Sequence, residues 1–281
     1  MKLGRLGPIG QEKPAIMDAE GNWRDLSSHI SDITPATLAD GALEKIKSLN
    51  LEELPLADQN QRVGACVGDI HNFICIGLNY AQHAAETGAD IPKEPIVFNK
   101  TTSAVCGPND HIIIPRNSIH TDWETELGVV IGKRAHYVSE EDALDYVAGY
   151  CVINDVSERT FQKDRGGQWT KGKSSENFGP TGPWLVTADE VSDPQNLNLW
   201  LKVNGQMMQN NSTSDMIFNL RQIIAHLTEF MVLSPGDVIA TGTPEGVGSG
   251  MNPPVYLKPG DVVELGVEGL GVQRQEVVAA S

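Results

Sequence analysis

The sequence predicts a mostly β protein with a few helices, an α+β architecture in which one large mixed domain follows a small N-terminal unit. Three observations carry this. From His71 onward, short apolar runs bounded by Gly, Pro and Asn recur as NFICIG, IVFNK, HIIIP, ELGVVIG and YVAGYCVIND, and runs of that length and residue type read as strands. One stretch alone keeps a good helical stripe, through Ile217, Leu220, Ile223, Ile224, Leu227 and Phe230, with Ser214 and Asp215 as candidate caps. The chain has 281 residues, 40% of them hydrophobic, which supplies the core of one large domain with at most a small companion.

Taken in order, PAIMDAEGNWRDLSS reads as two short strands around the turn Glu20-Gly21-Asn22, and residues 37 to 49 show modest helical periodicity. LEELPLADQNQRVGACVGD, with its proline and sparse apolar residues, reads as a connection. The expected division therefore places a small unit at 1–70 and the large domain at 71–281. Later in the chain, Asn204-Gly205 within KVNGQMM is a strong two-residue hairpin signal. LSPGDVIATG and LKPGDVVELG share a Pro-Gly turn that launches a strand in each case.

Charge narrows the function classes. With 37 acids against 21 Lys and Arg, the formal charge is -16, which disfavours nucleic acid and anionic membranes as partners and favours a cation. The start, MKLGRLGPIG, has no apolar segment behind its two cations, so the cytoplasm is the expected location. Cys66, Cys75, Cys106 and Cys151 show no CxxC spacing and are expected as buried free thiols.

The chemistry gathers in two places. In TDWETELGVVIG, Asp122, Glu124 and Glu126 alternate, so a strand would put all three on one face. Asp155 follows at the end of the apolar run VIND, where Ser157 can open a helix. Glu124, Glu126 and Asp155 would form an all-oxygen set suited to Mg2+ or Mn2+; the solvated face of an antiparallel strand gives the same spacing. In GLNYAQHAAETG, His83 and Glu86 are neighbours on one helical face. A carboxylate beside an imidazole orients it and raises its basicity, although an ordinary surface helix ending at Gly88 has the same pattern. That helix is short and lacks an apolar stripe, so it is expected either as a lid hinged near Gly77 and Gly88 or as a permanently docked element.

IGLNYAQHAAETG, DWETELGVVIG, GYCVINDVSERTFQ, WTKGKSSENFGPTGPW and IATGTPEGVG, in that order, resemble the fumarylacetoacetate hydrolase superfamily. The resemblance implies a mixed β-roll or β-sandwich catalytic domain, usually in a homodimer or higher homo-oligomer. It implies a divalent ion, Mg2+ with Mn2+ as the alternative, on Glu124, Glu126 and Asp155. It also implies a His83–Glu86 dyad that activates water, Lys173 and Gln162 as oxyanion donors, and Thr243 at a substrate carboxylate. Arg159, Tyr80 and Lys100 are further candidates for contact with a 2-oxo or 2,4-dioxo acid. The N-terminal unit and the DRGGQWTKGKSSENFGPTGPW stretch look most like the hydrolases of 2,4-diketo-3-deoxy-L-rhamnonate, which would yield pyruvate and lactate, and like proteins labelled ureidoglycolate lyase. Acylpyruvase and oxaloacetate decarboxylase are alternatives, and a metal-dependent 2-oxo acid binding module is the non-enzymatic one.

Overall fold

In the computed structural model, which describes residues 1–39 and 41–281, the apolar runs become strands of two large sheets. In chain order the strands are β1 (Lys2–Leu6), β2 (Lys13–Met17), β3 (Trp23–Asp25), β4 (Phe73–Gly77), β5 (Ile96–Lys100), β6 (Val105–Cys106), β7 (Ile112–Ile114), β8 (Thr121–Asp122), β9 (Thr125–Ile131), β10 (Val147–Asn154), β11 (Ser157–Glu158), β12 (Gly179–Thr187), β13 (Asn198–Val203), β14 (Gln206–Ser212), β15 (Val238–Ala240), β16 (Val262–Val267) and β17 (Gly271–Ala279). The helices are α1 (Pro35–Ala39), α2 (Ala42–Lys47), α3 (Ala81–Glu86), α4 (Arg159–Lys163), α5 (Thr170–Lys173) and α6 (Leu220–Phe230). A ten-stranded sheet runs β3-β2-β1-β12-β10-β9-β15-β4-β5, with β6 alongside β12, and a five-stranded sheet runs β14-β13-β16-β17-β7. The α+β architecture predicted from sequence is the one observed.

Strand β9 shows why the interior forms as it does. Leu127, Val129 and Ile131 pack into the core that also holds Leu199, Leu201 and Leu265 of the smaller sheet, while Val130 belongs to the core on the opposite face. A strand covered on both sides has no polar alternation, as its ELGVVI run indicates. The amphipathic helix α6 seals one side of the first core through Leu220, Ile223, Ile224 and Leu227. Its cap is Asn219, in a reciprocal capping box with Gln222; Ser214 and Asp215, the expected caps, lie upstream in a separate short turn. Asn204-Gly205 makes the expected hairpin, with Val203 opposite Gln206.

The expected division near residue 70 crosses one continuous sheet. β1 hydrogen-bonds with β12, and Leu3, Ile16, Leu26 and Ile33 share a core with Val130, Ile153 and Leu185. The ion pair between Arg62 and Asp110, with Nη2 to Oδ2 at 2.5 Å, adds a link across the same boundary. Leu3→Ala is therefore expected to cost about 2–5 kcal/mol and to lower the whole chain's unfolding in a single denaturant transition; an early transition confined to the first 70 residues would refute the shared core.

All four cysteines are free and buried. Among the described residues, no helix is long and apolar enough to cross a membrane.

Candidate active site

At one end of the large sheet, β4, β10 and β15 finish where β9 begins, and the functional residues collect there. Register does the first part of the work: Glu126 stands opposite Ile153 and Thr125 opposite Asn154, while the Asp155 N–H donates to the Glu124 carbonyl at 2.9 Å. Glu124, Glu126 and Asp155 thus meet, with one ligand oxygen from each lying within 4.8 Å of the others, and all three are buried. Burial pushes the Glu126 carboxyl well above the usual carboxylate range, and the neighbouring charges of Asp155 and Glu124 push it the same way. Burial also opposes ionisation of Glu124, but Lys173 and Arg159 override it and hold that carboxyl at about 2.

Asp122, the first of the three alternating acids, does not join the cluster. Trp123 and Glu124 fall between β8 and β9, so strand alternation breaks there and Asp122 turns elsewhere. Its carboxylate accepts from the N–H groups of Trp123 at 2.9 Å, Gly248 at 2.7 Å and Ser249 at 2.9 Å, and it pairs with Arg159 Nη2 at 2.7 Å. The other arm of Arg159 reaches Glu124 at 2.8 Å. Asp122 thereby ties the loop after β15 to the acid cluster, a role that sequence spacing did not indicate. Ser157, expected to open the following helix, lies in β11, and Glu158 caps α4 through its side chain instead.

Two lysines complete the charge balance. Lys173 Nζ lies 2.7 Å from both Glu124 Oε2 and Asp155 Oδ2, while Lys100 donates to Asp155 Oδ1 and to the Val156 carbonyl. Burial would lower the Lys173 ammonium, yet Asp155 and Glu124 hold it raised. With every group ionised, four buried carboxylates (Asp122, Glu124, Glu126, Asp155) would face three buried cations (Lys100, Arg159, Lys173), one positive charge too few, and Glu126 is the carboxyl whose charged form is disfavoured. A hard divalent cation fits this all-oxygen set: it supplies the counter-charge that Glu126 lacks and turns the balance positive for an anionic substrate.

The base sits across from the acids. His83, buried in α3, places Nδ1 2.8 Å from Glu86 Oε1; because a carboxylate only accepts, Nδ1 carries the proton and Nε2 is left as the basic atom. Glu86 is itself fixed by the Gly246 N–H, 2.9 Å from its Oε2. Gly246 has a φ of +95°, and a Cβ there would fall 2.0 Å from the Met208 carbonyl oxygen, so only glycine brings this N–H to Glu86. The helix is less polar on its inner side than its composition suggested: Tyr80, His83 and Ala84 are buried. Gly77, expected as a hinge, packs against Trp169, where a Cβ would come within 2.4 Å of the indole.

Between base and acids lies a cleft of about 200 Å3 lined by His83, Glu124, Glu126, Lys173 and Thr243. Arg159 and Gln162 also line it, and Gln162 Oε1 accepts from Arg159 Nη1 at 3.2 Å, which turns the Gln162 amide N–H groups away from the arginine. The Thr243 hydroxyl donates to the Thr125 carbonyl at 2.8 Å, and Gln209 donates to it in turn; the preceding Gly242 N–H holds Glu126 at 2.8 Å. Tyr80 and Lys100 are placed differently. Both are buried, Lys100 against Asp155 and Tyr80 at the head of α3, and neither is on the wall of this cleft.

Comparison with known proteins identifies the family. The family described as fumarylacetoacetate (FAA) hydrolase C-terminal matches residues 72–278. A Burkholderia multivorans protein described only as a hydrolase is 59% identical over 281 residues, the whole of both chains. Among solved structures, fumarylacetoacetate hydrolase from Exiguobacterium antarcticum is 34% identical with a TM-score of 0.89, and 5-carboxymethyl-2-hydroxymuconate delta-isomerase from Mycobacterium smegmatis is 30% identical at 0.77; each covers 100% of both chains. Maleylpyruvate hydrolase from Sphingobium sp. SYK-6, solved with manganese(II) and pyruvate, is 26% identical at 0.83, also over 100% of both chains. The manganese of that relative and the three-acid cluster here support a divalent metal in this protein. On the family match across most of its length, the chain is an enzyme of the fumarylacetoacetate hydrolase family, which embraces hydrolases and isomerases.

Proposed function

We propose that this enzyme hydrolyses a carbon–carbon bond in a 2,4-dioxo acid and releases pyruvate, with 2,4-diketo-3-deoxy-L-rhamnonate as the preferred substrate and lactate as the second product. The observation that carries the reading is the His83–Glu86 pair, anchored by Gly246, with His83 lining the same cleft as Glu124 and Glu126 of the three-acid cluster. A protein that only bound 2-oxo acids would have no use for an oriented base.

A divalent ion on Glu124, Glu126 and Asp155, Mg2+ or Mn2+ by the hardness of the ligands, would supply Lewis-acid stabilisation of the charge that develops on the 2-oxo acid. The protein's own groups account for the rest. His83 Nε2 takes a proton from water as its oxygen adds to the C4 carbonyl. The C3–C4 bond then breaks, C4 becomes the carboxyl carbon of the second product, and C1 to C3 leave as pyruvate after C3 is protonated. Lys173 has three N–H donors and uses two on Glu124 and Asp155, which leaves one for an oxyanion. Gln162, with its oxygen committed to Arg159, presents its amide N–H groups. A single donor of this kind is worth about 3–4 kcal/mol of barrier. Thr243, whose hydroxyl is committed to Thr125, would serve a substrate carboxylate through the backbone of its glycine-flanked loop.

Isomerisation is the second reading, favoured by the 30% identity to a delta-isomerase: the same base could move a proton between substrate carbons without adding water. Pyruvate release from a panel of 2,4-dioxo acids and oxaloacetate, with and without Mg2+ or Mn2+, decides between them. Release from no dioxo acid, combined with isomerisation of a hydroxymuconate, would overturn hydrolysis.

Thr87 and Ala89, just beyond α3, also line the cleft. Occupancy is therefore expected to slow hydrogen exchange across residues 77 to 92 when oxalate and Mg2+ are added together. Unchanged exchange in that window would assign α3 as a permanently docked helix.

A further inference from the structure

Ser249 presents a buried hydroxyl with no hydrogen-bond partner among the described residues, and it lines the cleft. A buried hydroxyl without a partner costs stability, so it marks a place where something else completes the bond. The residue is not loosely held. Its backbone N–H donates to Asp122 Oδ2 at 2.9 Å, the Gly248 N–H donates to Asp122 Oδ1, and Gly250 packs so closely on Glu86 that a Cβ there would fall 2.6 Å from its carboxyl carbon. The loop that carries Ser249 is thus pinned on one side by the acid that orients Arg159 and on the other by the acid that orients His83.

The cleft has two unlike walls. Phe98 and Trp169, edge to face at 5.2 Å, form an apolar one, and Ile76 and Leu78 add further hydrocarbon to the lining. Ser249, Arg159, Gln162 and Lys163 contribute polar groups. A substrate tail that satisfies both must be amphipathic, with a hydrogen-bonding oxygen on one edge and hydrocarbon on the other.

We propose that Ser249 is a specificity-determining residue whose hydroxyl hydrogen-bonds a hydroxyl on the acyl part of the substrate, while the Phe98–Trp169 wall receives the adjoining methyl. This rests on the carbon–carbon cleavage reading and assigns a protein partner to the hydroxyl that the proposed substrate carries next to its scissile carbonyl.

The test compares 5-hydroxy-2,4-dioxohexanoate with 2,4-dioxohexanoate in the metal-loaded enzyme and in Ser249→Ala and Ser249→Thr. The wild type is expected to favour the hydroxylated acid. Ser249→Ala should shrink that kcat/KM ratio by about tenfold, the worth of one hydrogen bond, while its ligand-free Tm stays level or rises because an unsatisfied hydroxyl has been removed. Ser249→Thr, which keeps a hydroxyl, should retain more of the ratio than Ser249→Ala. An unchanged ratio in Ser249→Ala, or a fall in Tm with equal losses on both substrates, overturns the proposal. A wild-type preference for a dioxo acid ending in a carboxylate overturns it in favour of Lys163 as the reader. If neither acid yields pyruvate, the cleavage reading fails separately, and the thermal shifts that the two acids produce still decide Ser249: an identical difference between them in wild type and Ser249→Ala counts against it.

Discussion

Replacing His83 by alanine is expected to slow hydrolysis of a 2,4-dioxo acid by about 100- to 10,000-fold, the range of a lost general base. The imidazole is positioned for this through its Nδ1, since Glu86 holds Nδ1 and Gly246 holds Glu86. Oxalate binding in the presence of Mg2+ should survive, because the acid cluster and the Thr243 loop are untouched. Oxaloacetate decarboxylation, if the enzyme performs it, should fall much less, since loss of CO2 needs no attacking water. Equal losses in the two reactions would mean that His83 shapes the cleft or protonates the product, and the hydrolytic role assigned to it would fail. Glu86→Gln keeps a hydrogen-bond acceptor at Nδ1 but removes the charge, so it should show a smaller loss in the same direction.

Stripping divalent ions should abolish pyruvate release, with recovery on adding Mg2+ or Mn2+. The same ions should raise the Tm, because a ligand that binds the folded chain stabilises it by about 2.7 kcal/mol at a hundredfold excess over Kd. Glu126→Gln separates this from general damage to the fold. In the metal-free protein, burial and two neighbouring acids already disfavour the charged form of Glu126, so a neutral amide should leave the metal-free Tm little changed. The metal-dependent rise and the activity should both be lost. Asp155→Ala is a harsher change, because it removes the counter-charge of Lys100 and Lys173, and breaking buried pairs in this way costs about 3–5 kcal/mol. Full activity in metal-stripped wild type, or a normal metal response in Glu126→Gln, would remove Glu126 from the ligand set.

Much of this protein is local and can be read from residues a few positions apart in the chain. Strand β9 is covered on both faces and so carries an unbroken apolar run; the Asn204-Gly205 hairpin needs only its own turn residues; the acids at 124, 126 and 155 and the pair at 83 and 86 stand in recognisable motifs. Other features were decided only in three dimensions. Strand β1, KLGRL, carries no alternation that announces a partner, and its place beside β12 comes from burying Leu3 in a core built largely by distant residues. Strand spacing put Asp122 with Glu124 and Glu126, yet a break in the strand and the pull of Arg159 and of two loop N–H groups took it away. Asn219 displaced Ser214 and Asp215 as the helix cap because its side chain and that of Gln222 satisfy each other's backbone donors. Ser249 is one polar residue in a glycine-rich loop until a carboxylate 127 positions earlier fixes its backbone. The division follows the range of the forces: periodicity and turn chemistry act over a few residues and are written in the chain, whereas counter-charges and hydrogen-bond partners arrive from wherever the fold delivers them.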